Sequence, residues 1–65
     1  MKLNISVYKK FHWYSIYNGD TLLHSGDMKD KDIHQIVKEL GYTIIYTNIV
    51  SSNNWNITNY AMEVK

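Results

Sequence analysis

Sixty-five residues with no Cys and no Pro, seven Lys, no Arg and six acidic side chains carry a formal charge of +1. A chain this short buries only about 60% of its unfolded surface, and without Cys it has neither a disulfide nor a thiolate-held metal to brace it. Balanced charge excludes a basic nucleic-acid-binding tail or an acidic mimic, and the lack of Arg removes the bidentate fork best suited to phosphate or guanine.

Leu3, Ile5 and Val7 alternate with Lys2, Asn4, Ser6 and Tyr8, the period-two pattern of a half-buried strand. The same alternation does not read as a signal peptide, and no run approaches the roughly 18 apolar residues of a membrane span. A cytoplasmic location is therefore expected, and the sequons at Asn4 and Asn56 read as chance matches in an Asn-rich chain. Lys9-Lys10 predicts a turn or bulge. A second strand follows over about His12 to Tyr17, rich in aromatic and β-branched residues. Asn18-Gly19 supplies two residues that tolerate positive φ, which predicts a type I′ hairpin returning through Thr21 to Ser25.

Ser25-Gly26-Asp27 is expected to break that strand and lead into a helix over about residues 29 to 40. Ile33, Ile36, Val37 and Leu40 form its apolar stripe, Asp27 or Asp30 caps it, and Gly41 stops it in the left-handed conformation. Tyr42 to Val50 predicts a fourth strand with Tyr42, Ile44, Tyr46, Asn48 and Val50 on one side. Ser51 to Asn54 reads as a loop and Trp55 to Val64 as the last strand, with Ile57 out of phase and a bulge near Thr58-Asn59. The chain thus predicts a single α+β domain, β-β-β-α-β-β, with one helix laid on one face of a mainly antiparallel sheet.

No catalytic or cofactor motif emerges. His12, His24 and His34 are too far apart in sequence for a zinc pair, although His12 and His24 could approach each other across the hairpin. Asp27, Asp30 and Asp32 have the alternating look of a calcium loop, but Glu39 lies twelve residues after Asp27 where the motif needs eleven, and helix capping accounts for these acids. No serine carries the sequence cue of a base-activated nucleophile. The chain therefore reads as a non-enzyme with no cofactor and no metal.

Two Trp, six Tyr and one Phe are more than so small a core can hide. If Leu3, Ile5 and Val7 face the helix, Tyr8 turns to the opposite face, and Trp13, Ser15 and Tyr17 share one side of the second strand. Tyr8, Trp13, Tyr17 and Tyr46 are accordingly the expected partner-binding residues, in a setting of Tyr, Trp, Ser and Asn suited to adaptable protein contacts.

The expected partner is a protein, engaged by the helix-free face and an open edge, together with a second copy as a homodimer. Heavy use of Lys, Asn, Ile and Tyr suggests an AT-rich coding sequence. In size, composition and solitary domain the chain is similar to the small accessory proteins of phages and mobile elements, and that resemblance implies an inhibitor that occupies a host protein's surface. Two alternatives use the same aromatics. Single-stranded nucleic acid could stack on them while Lys2, Lys9 and Lys10 meet phosphates, or an oligomer could enclose a small ligand.

Overall fold

The computed structural model describes residues 1–53 and 56–65. Five strands and one helix follow in the order β1 (Lys2–Tyr8), β2 (Trp13–Asn18), β3 (Thr21–Asp27), α1 (Ile33–Glu39), β4 (Ile44–Ser52) and β5 (Ile57–Val64). All neighbouring strands are antiparallel, in the spatial order β3-β2-β1-β5-β4. The expected α+β architecture is therefore the one the chain adopts.

Alternation on β1 decides which face is covered. Leu3, Ile5 and Val7 are buried, and their cross-strand partners Met62, Tyr60 and Thr58 on β5 and Ile16 and Tyr14 on β2 share their side. Ile33, Ile36 and Val37 of α1 close this layer from above, with Leu40, Ile44 and Tyr42 packed around it. Asp32 is the N-cap, in a capping box. Its carboxylate accepts from the Gln35 amide at 3.0 Å, and the Gln35 side chain accepts from the Asp32 amide at 3.0 Å. At the other end Gly41 has φ +99, the Gly41 amide bonds to the Lys38 carbonyl and the Tyr42 amide to that of Val37, a Schellman stop at the expected glycine.

Several local expectations shift. Lys9–Phe11 form a single 3-10 turn, and His12, expected to start the second strand, instead takes a left-handed conformation with φ 52. The hairpin turn is Gly19-Asp20 rather than Asn18-Gly19, because Asn18 already pairs with Thr21. Only Gly19 of the two has positive φ, the sign pattern of a type II′ turn, which also places glycine first. Gly26 does not break β3. It sits opposite Tyr14, where an added Cβ would stand 3.4 Å from the tyrosine hydroxyl, so its missing side chain makes room for the ring.

The helix is shorter than the apolar stripe suggested. Lys29 and Asp30 both have positive φ, the Asp27 carboxylate accepts from the Lys29 amide, and the Lys31 amide bonds to the Met28 carbonyl. These bonds commit 27–31 to a tight turn, so neither Asp27 nor Asp30 is the cap. β5 runs unbroken against β1 with no bulge at Thr58-Asn59, and Ile57 simply faces away from the helix. The bulges fall on β4, between Ile44 and Tyr46 and between Ile49 and Ser51, and on β3. The first β4 bulge separates Ile44, which packs on the core, from Tyr46 on the opposite side, so the five residues expected on one side of β4 do not share it. Ser51 and Ser52, read as loop, extend that strand. Trp55, expected to begin the last strand, lies outside the described residues.

Candidate functional site

The face away from α1 is organised in rows that cross the sheet. Ser25 on β3 is opposite Ser15 on β2, Ser15 opposite Ser6 on β1, Ser6 opposite Asn59 on β5, and Asn59 opposite Ser51 on β4. One line of small polar side chains therefore spans all five strands, about 19 Å from end to end at 4.8 Å per strand. Three of its members are joined by hydrogen bonds: the Ser6 hydroxyl donates to Asn59 Oδ1 at 2.7 Å, and Asn59 Nδ2 donates to the Ser51 hydroxyl at 2.8 Å. These bonds hold the amide flat along the row.

Two rows of mixed size flank that polar row. On one side stand Trp13, Tyr8 and Ile57, paired in register. On the other stand Leu22, Tyr17, Asn4, Ala61 and Asn48, with Lys2, Glu63 and Tyr46 in the row beyond. The two flanking rows lie four residues apart along each strand, about 13 Å. A shallow trough results, with a polar floor walled by Trp13, Tyr8 and Ile57 on one side and by Leu22 and Tyr17 over β3 and β2 on the other. A depression of about 280 Å³ lies over Asn4, Ser6 and Asn59, between Tyr17 and Val50. Drug-sized ligands occupy pockets of roughly 300–1,000 Å³ that enclose them, so this hollow suits one inserted side chain better than an enclosed metabolite.

Tyr8, Trp13, Tyr17 and Tyr46 thus stand on one face. Trp13 and Tyr46 are 42% and 59% exposed, and Tyr8 and Tyr17 are half-buried. The lysines do not gather around them. Lys2 stands beside Glu63 at one end of the face, while Lys9 and Lys10 lie in the turn past Tyr8, about 23 Å away along β1. Lys10 instead reaches over the Phe11 ring, 6.0 Å from its centre.

His12 and His24 do not approach each other. His24 is opposite Ile16, whereas the His12 carbonyl accepts from the Met28 amide four positions further along the hairpin. His34 packs edge-on to Tyr60 and meets the Thr47 hydroxyl at 3.1 Å, a link between helix and sheet. Among the described residues no three His, Asp or Glu side chains stand close enough together to hold a metal ion. A second depression of about 270 Å³ lies between α1 and the end of β3, walled by Tyr14, Met28, Ile36 and Leu40. The Lys31–Glu39 ion pair, 2.8 Å, stands among its lining residues, and among the described residues no buried side-chain polar atom lacks a partner. No helix among the described residues is long and apolar enough to cross a membrane.

The polar row escaped sequence reading because it exists only through register. Ser15 was placed between Trp13 and Tyr17, and Ser6 beside Tyr8, but their alignment with Ser25, Asn59 and Ser51 depends on bulges that alternation does not reveal. The chain matches no protein-family model, no curated protein and no solved structure.

Proposed function

We propose that this chain is a non-catalytic protein-binding module of the accessory or inhibitor type, acting in the cytoplasm by laying its helix-free face against a partner protein. The observation that carries this reading is the trough: a hydrogen-bonded Ser and Asn floor between rows holding Trp13, Tyr8 and Tyr17. Tyr and Trp give large contact area at low rotamer cost, and Ser and Asn adapt their hydrogen bonds to what they meet. Charge is confined to the margins, at Lys2, Glu63 and Asp27, which favours an uncharged protein surface over a phosphate backbone. The wide separation of Lys2 from Lys9 and Lys10 argues the same way, since a strand of nucleic acid needs cations that track its backbone.

Affinity capture with matched baits tests this. A partner retained by the parent and by Lys9→Ala, but lost by Trp13→Ala or Tyr46→Ala, supports the reading, with the aromatic truncations costing about 2 kcal/mol or more at a hot spot. Lys9→Ala should act mainly on association rate and salt sensitivity. Tight binding of single-stranded DNA or RNA that collapses with added salt and with loss of Lys9 and Lys10 would overturn it.

A further inference from the structure

The second open surface is the edge at β4. Its nine residues, Ile44–Ser52, contain no charged side chain and no Pro, two of the devices that blunt an exposed edge, and its two bulges leave 46–49 as the regular stretch open to pairing. Ile45, Tyr46, Ile49 and Val50 are each about 60% exposed and lie on this one strand. The opposite edge, β3, ends in Asp27 and includes His24 and Gly26.

The direction of the backbone groups on β4 follows from its two ends. Thr43 and Lys65 exchange both backbone hydrogen bonds, and the Asn53 amide bonds to the Ile57 carbonyl. Antiparallel pairs alternate between bonded and non-bonded, so the odd-numbered residues of β5 serve β4, and Tyr46, Asn48 and Ser51 spend their backbone groups on Glu63, Ala61 and Asn59. The Met1–Val64 bonds agree, assigning the even-numbered residues to β1. Thr47 and Ile49, in the regular stretch between the two bulges, therefore point their amides and carbonyls outward.

We propose that two copies of this chain pair antiparallel through β4, about a two-fold axis at Asn48, to form one ten-stranded sheet. In that register Thr47 faces Ile49 of the second copy and the two exchange backbone bonds, and the symmetry repeats this on the other side of the axis. Asn48 meets its own counterpart on the trough face, and Tyr46 and the bulged Val50 of the second copy lie at the ends of the paired stretch. Of uncharged strands, β4 itself matches this edge on both faces, and a second copy brings no like charge to it. The edge shares Tyr46 and Val50 with the β4 end of the trough face, but the pairing is read from the direction of the backbone groups and does not rest on the function proposed above.

Sedimentation equilibrium and amide exchange test it together. The parent should sediment at twice its 7.7 kDa chain mass at high micromolar concentration, with the Thr47 and Ile49 amides protected from exchange. Ile49→Lys makes two lysines diagonal neighbours on one face, their backbones about 7–8 Å apart across the axis, and should weaken the dimer about tenfold or more with its circular dichroism unchanged. A parent that remains monomeric overturns the proposal. So does a dimer in which Thr47 and Ile49 exchange freely, a measurement that stands even if the lysine variant fails to fold.

Discussion

At the scale of single residues, backbone sign decides more than side-chain type. Gly19 has φ +59 and open space where a Cβ would go, so the cost of substitution there is conformational and not steric against neighbours. Gly19→Val should lose roughly 1–2 kcal/mol or more in thermal melts, and Gly19→Asn distinctly less, since Asn is among the few residues that enter the positive-φ positions of primed turns. Equal melting of the two would place the turn elsewhere. His12 is the converse case, a non-glycine residue held at φ 52 with an exposed side chain. His12→Gly should raise stability by about 0.5–1 kcal/mol, the relief of left-handed strain less the entropy of a freer unfolded chain. A glycine in a turn was legible in the sequence. The histidine was not, because nothing in a Lys-Phe-His-Trp run announces that the chain must reverse there within one 3-10 turn.

At the scale of elements, the helix shows why local pattern outran local structure. Of the stripe, Ile33, Ile36 and Val37 are buried and Leu40 is partly so, but Asp27 and Asp30, the caps the pattern suggests, both lie before the true start. Asp32 prevails because Gln35 three residues on completes the capping box, while Asp27 is taken up by the turn that precedes it. Asp32→Ala should cost about 0.5–2 kcal/mol. Seven residues are far too few for a helix to persist by itself, so α1 depends on its buried face. Ile36→Ala should cost roughly 2–5 kcal/mol, comparable to all that so small a core supplies, and chemical denaturation should find much of that variant unfolded without denaturant. Melting close to the parent would mean that α1 is not packed as described. Alternation makes β1 legible throughout and β5 legible over Tyr60, Met62 and Val64, whereas Ile57 suggests a bulge that the continuous β1–β5 pairing lacks. On β4 each bulge inverts the phase, and a phase inversion leaves no mark in composition.

At the scale of the molecule, the sheet separates two tasks between its faces. One face holds nearly every buried methyl group, and the other holds a polar floor between aromatic rows, so substitutions on the two should act on different measurements. Ser25 tests this most cleanly. It is exposed at the β3 end of the floor, away from the β4 edge, and its loss removes no core contact. Ser25→Trp places an aromatic residue in a strand, where such residues are well tolerated, so stability should change by no more than about 0.5 kcal/mol. The same indole would rise from the floor and close the trough at that end. Capture of a partner that depends on Trp13 should then fail although the variant melts like the parent. Capture at full strength by a well-folded Ser25→Trp chain would show that the partner does not enter the trough, and that the aromatics serve as separate anchors instead of as walls.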